Sequence, residues 1–278
     1  MLIRPPAVAG EMYSVEKEML KKEIESSFNH PKGPKSFKRQ KAIAGIVPHS
    51  NYLSSGPVAA WLYSRLEPAN FIILGSNHSK EGANFSISKK GMWKTPLGEL
   101  IINENLADAL TNESKIIDYD ILVHQNEYSV EMQLPFLQHK FGNDFKFVPI
   151  LVKNDFPDDT LLESCKLVGK AIAKVVKRSG ESWTILASSD FSSNLSARLA
   201  KENDRDLIKS ILKLDEKNLF SKIAAKNMNM CGYGAVATVL VAAKQLGAKK
   251  GELLKYATSS EITGEDASAT GFASIIIY

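Results

Sequence analysis

The chain has 278 residues, of which 44% are hydrophobic and 24% charged, and its formal net charge is +4. This composition is that of an ordinary globular protein able to bury a sizeable core, and it argues against a disordered or fibrous chain. No run approaches the roughly 20 apolar residues that span a bilayer, and the N-terminus lacks the apolar segment of a signal peptide. Two cysteines imply no disulfide framework, so we expect a cytoplasmic protein with reduced thiols.

Positive charge is concentrated in residues 32–41 (KGPKSFKRQK), which hold five basic side chains and no acidic ones. Such a stretch could touch nucleic acid or acidic lipid, but no second basic patch accompanies it. We therefore interpret it as a solvated surface loop and predict neither a nucleic-acid nor a membrane partner.

Hydrophobic periodicity and turn residues predict alternating helices and strands along the chain. The predicted helices cover residues 15–28, 58–66, 103–110, 129–140, 160–178, 198–214, 219–226 and 235–246. The predicted strands cover residues 42–47, 71–74, 85–88, 145–152, 183–187, 253–258 and 272–277. Ser14 is expected to cap the first helix, Pro57 to mark the start of the second, and Pro135 to begin or kink the fourth. With no repeat and no linker, residues 1–278 read as one α/β domain with a mixed sheet.

Three of the predicted strands run directly into short polar clusters. His49 lies in the cluster PHSNY after the first strand, His78 in GSNHS after the second, and Asp190 in SSDFS after residues 183–187. Ligands of open α/β sheets bind beyond the carboxyl ends of the strands. The sequence therefore predicts that these three side chains converge on one site.

Each of these residues also has an ordinary structural interpretation. One histidine after a strand is usually a hydrogen-bonded loop residue. Two histidines in equivalent positions make a shared ligand role about as plausible as that ordinary loop role. His30 and His139 are interpreted as surface residues. Asp190 is a metal ligand, a base or an orienting acceptor on one interpretation, and a turn residue on the other.

Cys231 lies just before Gly232 and an Ala- and Val-rich helix, where a helix N-terminus lowers the pKa of a thiol. The alternative is a small buried cysteine that fills space, which is the interpretation we give Cys165 on the apolar stripe of its helix. Two histidines with an acid suit non-haem iron, and two histidines with a thiolate suit copper or zinc. The residues alone do not decide which metal is bound.

Six short motifs occur in an order that resembles the Memo family, from Arg4 to the end of the chain. They are RPPAVAG at residues 4–10, PHSNY with a following SG at 48–56, LGSNH at 74–78, EYSVEMQLP at 127–135, SSDF at 188–191 and CG at 231–232. None would be specific alone, but their fixed order makes the resemblance specific.

The resemblance implies the fold of class III, LigB-type extradiol dioxygenases: one α/β domain whose mixed sheet carries helices on both faces. It implies a copper or iron site, with zinc as a further option, whose ligands are His49, His78 and Cys231 with Asp190 beside them. The pocket would be lined by Asn51, Tyr52, Asn77, Ser189 and Ser193. Family association suggests radical-SAM and AMMECR-type partners, and a eukaryotic member that binds phosphotyrosine motifs suggests a peptide ligand.

Two positions depart from the pattern of the family. Tyr128 stands where members commonly have histidine, and Ser192, Ser193 and Asn194 occupy the region where a histidine follows the aspartate. Serine has no pKa near neutrality and cannot replace that histidine as a proton shuttle, whereas Tyr128 can still donate a hydrogen bond. Enzyme status is therefore open, with Asp190, Tyr128 and Glu131 as the candidate catalytic residues.

Three functions remain in competition. The first is a metal-dependent redox protein that uses His49, His78 and Cys231. The second is a binding module that recognises a peptide or partner protein with the same pocket. The third is a zinc hydrolase with Glu131 or Asp190 as base, which ranks lowest because the sequence has no zincin spacing. Glu127 and Glu131 could both reach a cleft, but Glu131 also has an ordinary interpretation as a first-turn helix residue favoured by the helix dipole.

Overall fold

The structure is a computed structural model that describes residues 2–36, 38–264 and 268–278. The strands are β1 (Ile3–Arg4), β2 (Ala44–Val47), β3 (Asn70–Ser76), β4 (Phe85–Ile87), β5 (Met92–Thr95), β6 (Gly98–Ile101), β7 (Ile117–Tyr119), β8 (Phe147–Val152), β9 (Trp183–Ser188), β10 (Gly251–Thr258) and β11 (Gly271–Ile277). The helices are α1 (Lys17–Asn29), α2 (Tyr52–Arg65), α3 (Glu104–Glu113), α4 (Leu122–Gln125), α5 (Leu134–Phe141), α6 (Asp159–Ser179), α7 (Ala197–Leu212), α8 (Glu216–Lys226), α9 (Tyr233–Gln245) and α10 (Ser259–Thr263).

The main sheet has eight strands in the order β10-β11-β2-β9-β3-β8-β4-β7. Its four central strands, β2, β9, β3 and β8, are parallel to one another, while β11 and β4 run antiparallel to their inner neighbours. The predicted mixed sheet is therefore confirmed. Because β2, β9 and β3 are adjacent and parallel, the segments that follow them leave from the same edge of the sheet.

Helices cover both faces of this sheet, as predicted. Ile72 and Leu74 of β3 pack into one hydrophobic core with α3 and α6 to α9, and Phe71 and Ile73 pack into the other with α1, α2 and α5. This alternation is the period-two pattern of a strand buried on both faces. On the first face α6 and α9 approach closely at Gly169, where an added Cβ atom would lie 2.7 Å from the carbonyl oxygen of Thr238.

Two predicted helix starts were wrong. Helix α1 begins at Lys17, and Ser14 does not cap it; the backbone N–H of Ser14 donates to the Glu23 carboxylate instead. Helix α2 begins at Tyr52, so Pro57 lies inside it. The Asn51 side chain accepts a hydrogen bond from the Ser54 N–H at 3.0 Å and starts the helix six residues earlier than predicted. An N-cap contributes about 1 kcal/mol and an interior proline costs about 3 kcal/mol, so the burial of most of α2 must also stabilise the helix across Pro57.

Pro135 also begins a helix rather than interrupting one. A 3₁₀ turn over Glu131–Gln133 precedes α5, and Pro135 lies in the first turn of α5. The elements absent from the prediction are short: β7, α4, α10 and a separate three-stranded sheet in the order β1-β5-β6. Within the described ranges, no helix is both long and apolar enough to cross a membrane.

Candidate metal centre

Three side chains with metal-binding atoms meet at the carboxyl edge of the main sheet. His49 follows β2, His78 follows β3, and Cys231 lies directly before Gly232, the N-cap of α9. One ligand atom from each residue lies within 4.8 Å of the others, and the Cys231 sulfur is 3.3 Å from Nε2 of His49. The side chains predicted from two strand ends and a distant helix start therefore form one cluster.

Asp190, the aspartate after β9, supports this cluster from outside. One carboxylate oxygen accepts a hydrogen bond from the His49 backbone N–H at 2.9 Å, and the other accepts one from the Ser50 hydroxyl at 2.5 Å. The Asp190 backbone N–H donates to the Cys231 sulfur at 3.3 Å. Asp190 thus joins the turn that carries His49 to the loop that carries Cys231, and it is not one of the three clustered residues.

His78 is held by Glu127, a buried carboxylate. Nδ1 of His78 lies 3.0 Å from both Glu127 carboxylate oxygens, and the His78 backbone N–H donates to Glu127 at 2.8 Å. The Ser129 backbone N–H donates to the same carboxylate at 2.8 Å. Three protein donors therefore hold Glu127 in place behind the imidazole.

His49 is held by a neutral network. Its Nδ1 lies 3.0 Å from the Ser188 hydroxyl oxygen, which also accepts a hydrogen bond from the Gln133 amide at 2.7 Å. The Ser188 hydroxyl itself donates to the Ser129 carbonyl oxygen at 2.6 Å. All of these groups are buried, so the orientation of the His49 ring is defined by protein contacts on its Nδ1 side.

The electrostatics of the cluster favour a thiolate. Burial raises the pKa of Cys231, but the adjacent His49 and His78 imidazoles more than offset burial and lower that pKa to about 6. Burial alone would lower the pKa of both histidines. The thiolate and the nearby carboxylates outweigh burial and raise the pKa to about 9 for His49 and about 10 for His78. The positive charge that stabilises the thiolate thus comes from the two imidazoles. From the sequence we had expected the N-terminus of α9 to lower the pKa of the thiol. A thiolate is the form that binds metal, and metal binding would release the imidazolium protons.

The donor set fits a soft or borderline transition metal. Two imidazole nitrogens and a thiolate sulfur suit copper or zinc, and imidazole also suits iron. His49 is only 2% exposed, whereas the His78 side chain is 33% exposed, so the cluster opens to solvent on the His78 side. A metal held by these three residues alone would keep a coordination position for an exogenous ligand.

The Tyr128 ring packs against both imidazoles. It stacks on His78 with an interplanar angle of 1° and a centroid distance of 5.0 Å, and it meets His49 edge-on at 5.8 Å. Burial and the neighbouring carboxylate of Glu127 raise the pKa of Tyr128 above its ordinary value. The hydroxyl therefore stays protonated at neutral pH, where it is able to donate a hydrogen bond but not to act as a base.

Glu131, the other candidate base, is occupied elsewhere. Its carboxylate is fully buried and pairs with Arg4 at 2.5 Å. It also accepts hydrogen bonds from the Ala7 and Val8 backbone N–H groups and from the Tyr13 hydroxyl. These donors satisfy both oxygens, so Glu131 anchors the N-terminal segment rather than joining the cluster.

The five predicted pocket residues lie in different environments. Ser189 accepts a hydrogen bond from the Gly232 N–H at 3.0 Å, and Ser193 accepts one from Asn229 at 2.6 Å, so both brace the Cys231 loop. Asn51 caps α2, and Asn77 bonds within its own turn to the Glu81 carbonyl oxygen. Tyr52 is buried in the core and donates to the Met132 carbonyl oxygen, and its placement in the pocket stays a prediction.

Three supporting residues stand out: the sequence predicted only that Glu127 could reach a cleft, and it did not assign Ser188 or Gln133 to the site. Glu127 and Gln133 both lie in the EYSVEMQLP motif, and Ser188 opens the SSDF motif. Motif membership was the available signal, but it does not say which polar side chain contacts which imidazole.

The fold and the cluster define an α/β protein with a His/His/Cys site at the carboxyl edge of its sheet. A family model described as Memo-like protein matches residues 4–276, and the chain belongs to that family. A MEMO1 family protein of Pyrobaculum aerophilum is 39% identical over 286 residues, with 100% of both chains covered. One of Sulfolobus acidocaldarius is 40% identical, with 99% of both chains covered.

A solved structure shares the fold. The crystal structure of an uncharacterized protein of Escherichia coli K12 superposes with a TM-score of 0.55 at 14% identity, covering 86% of this chain and 100% of that one. At this identity the likeness concerns the fold alone.

Proposed function

We propose that this protein binds a transition metal through His49, His78 and Cys231 and uses the bound metal in redox chemistry. The observation that carries the proposal is the approach of three ligand atoms to within 4.8 Å of one another, from parts of the chain that are far apart in sequence. The sulfur is held as a thiolate by the imidazoles beside it. Copper suits two imidazoles and a thiolate best, and iron is the alternative.

The metal would supply a redox couple and a coordination position for a small ligand. His49, His78 and Cys231 would hold it, the stacked Tyr128 ring would shield one side, and the Tyr128 hydroxyl would be available as a hydrogen-bond donor. Asp190 would keep the His49 and Cys231 segments together through its carboxylate and its backbone N–H.

The contacts of the candidate bases count against a zinc hydrolase. Glu131 is satisfied by Arg4, two backbone N–H groups and a tyrosine hydroxyl. Both oxygens of Asp190 accept hydrogen bonds from the His49 turn. A general base must reach the water that it deprotonates, and neither carboxylate has an oxygen without a protein donor.

Metal analysis of untagged protein tests the proposal. Purified wild-type protein, stripped and reloaded separately with Cu⁺, Fe²⁺ or Zn²⁺, should retain a single equivalent after desalting, and Cys231→Ala should lose it. Cys165→Ala is the matched control, because Cys165 is a fully buried thiol on α6 that donates to the Gly234 carbonyl oxygen. Equal retention by wild type and Cys231→Ala would refute the proposal.

A further inference from the structure

Nδ1 of each imidazole in the cluster faces a supporting residue. The Cys231 sulfur lies 3.3 Å from Nε2 of His49, while Nδ1 of His49 faces Ser188 on the opposite side of the ring. Nδ1 of His78 likewise faces Glu127. The Nδ1 contacts therefore decide which proton each ring keeps.

Ser188 can only accept a hydrogen bond from His49. The single proton of its hydroxyl is directed at the Ser129 carbonyl oxygen at 2.6 Å, and one lone pair of its oxygen accepts the Gln133 amide at 2.7 Å. The remaining lone pair faces Nδ1 of His49 at 3.0 Å. His49 must then carry its proton on Nδ1, which leaves Nε2 as the nitrogen with a free lone pair when the ring is neutral.

Glu127 also accepts a hydrogen bond from Nδ1 of its imidazole, but it carries a negative charge. A carboxylate is an acceptor only, so the Nδ1 contact requires a proton on that nitrogen. A carboxylate behind a ligating histidine fixes the ring and raises the basicity of the other nitrogen. His49 has only a neutral hydroxyl in the equivalent place, and the two imidazoles therefore differ in donor strength.

We infer that Glu127 and Ser188 are positioning residues that lock His78 and His49 as Nδ1–H imidazoles, so that both Nε2 atoms are preset as metal ligands, with His78 the stronger donor. This inference rests on the proposed metal site and deepens it. It also explains why two groups that do not reach the cluster are buried around it with their hydrogen bonds satisfied.

Zinc is a suitable probe because it is diamagnetic and binds imidazole and thiolate. In wild-type protein loaded with Zn²⁺, ¹⁵N-resolved NMR of the histidine rings should show Nδ1–H and a metal-bound Nε2 for both His49 and His78. Zinc bound through Nδ1 of either ring would overturn the inference. This measurement needs no variant, so it stands even where a substitution prevents folding.

Glu127→Gln tests the charged support. The amide has only one acceptor oxygen for the three donors that Glu127 now satisfies, so zinc affinity should fall about 10- to 100-fold in competition with a chromophoric chelator. Glu216→Gln is the matched control, because Glu216 is also buried but pairs with Lys244 at the far end of α9. Glu127→Gln binding zinc as tightly as Glu216→Gln would overturn the role of the carboxylate.

Ser188→Ala tests the neutral support in the same way. Zinc affinity should fall, but less than in Glu127→Gln, since only a neutral acceptor is lost. Ser274→Ala is its control, because Ser274 is a buried serine on β11 whose hydroxyl also donates to a backbone carbonyl oxygen. Wild-type protein that binds no metal would refute the proposed function and this inference together, whereas normal wild-type binding with unaffected variants would refute the inference alone.

Discussion

The sulfur of Cys231 lies 3.3 Å from Nε2 of His49, although 182 residues separate the two along the chain. The parallel pairing of β2 with β9 brings the His49 turn to Asp190, and Asp190 donates its backbone N–H to that sulfur. The contact thus depends on the strand order of the sheet.

The first prediction concerns the reactivity of the two thiols. In metal-free protein at neutral pH, iodoacetamide should alkylate Cys231 readily, because the adjacent imidazoles lower its pKa to about 6 and the thiolate is the nucleophile. Cys165 should stay unmodified, since it is fully buried and burial raises its pKa to about 12. Mass spectrometry of the two cysteine peptides gives the extent of each reaction.

Prior loading with Zn²⁺ should protect Cys231, and a denaturant should make both cysteines react. Equal labelling of the two thiols in the folded protein, or labelling of Cys231 that zinc does not slow, would contradict the described environment of the cluster.

The second prediction concerns Glu131. Glu131→Gln leaves the Arg4 guanidinium buried without its counter-charge, so the free energy of unfolding should fall by about 3–5 kcal/mol. The matched control is Glu99→Gln, which removes one partner of the exposed pair with Lys94 and should change stability by about 1 kcal/mol or less. Guanidinium denaturation measures both values, and similar losses in the two variants would show that the Arg4 pair is not the anchor of the N-terminal segment.

The sequence predicted the central strands and the residues of the His/His/Cys cluster because both depend on local patterns. Long apolar runs predicted β2, β3 and β9, and the polar clusters after them predicted which residues reach the edge of the sheet. The adjacency of β2, β9 and β3 was not predictable locally, since it follows from how three distant segments pair.

The supporting residues were less predictable for the same reason. Glu127 lies 49 residues from His78, and an acidic residue in a loop has many potential partners along such a chain. Glu131, four residues further on, is chemically identical but pairs with Arg4 because the short strand β1 brings the N-terminus there. Two residues of extended chain carry no periodicity, so neither β1 nor this pairing could be predicted.

The third prediction concerns pH and His124. This buried imidazole donates from Nε2 to the Ser86 carbonyl oxygen, and burial lowers its pKa from 6.5 to about 4. The unfolded chain therefore binds a proton below pH 6.5 that the folded protein does not bind until about pH 4. Stability should fall as the pH drops through this window, by about 3 kcal/mol at its lower end, and should be regained above it.

His124→Gln removes this titration while an amide N–H replaces the donor. Urea denaturation at a series of pH values should show a shallower loss of stability in acid for the variant than for wild type. His139→Gln, at a half-buried histidine on α5, is the control and should keep the wild-type slope more closely. An unchanged slope in His124→Gln would show that other groups account for acid destabilisation.

The last prediction concerns Gly232, which lets the Cys231 loop approach β9. A Cβ atom at Gly232 would lie 2.6 Å from Cβ of Ser189 and 2.8 Å from the Ser188 carbonyl oxygen, so Gly232→Ala must move the loop away from the strand. The Gly232 N–H also donates to the Ser189 hydroxyl, and that hydrogen bond would be lost with the movement. Because Cys231 is the adjacent residue, its sulfur should move away from the imidazoles, and zinc affinity should fall together with stability.

Gly169→Ala is the control, since it crowds the Thr238 carbonyl oxygen between α6 and α9. Gly169→Ala should lower the unfolding midpoint but leave zinc affinity in the folded protein close to that of wild type. Wild-type zinc affinity in Gly232→Ala would show that the close approach of Gly232 to β9 does not position Cys231.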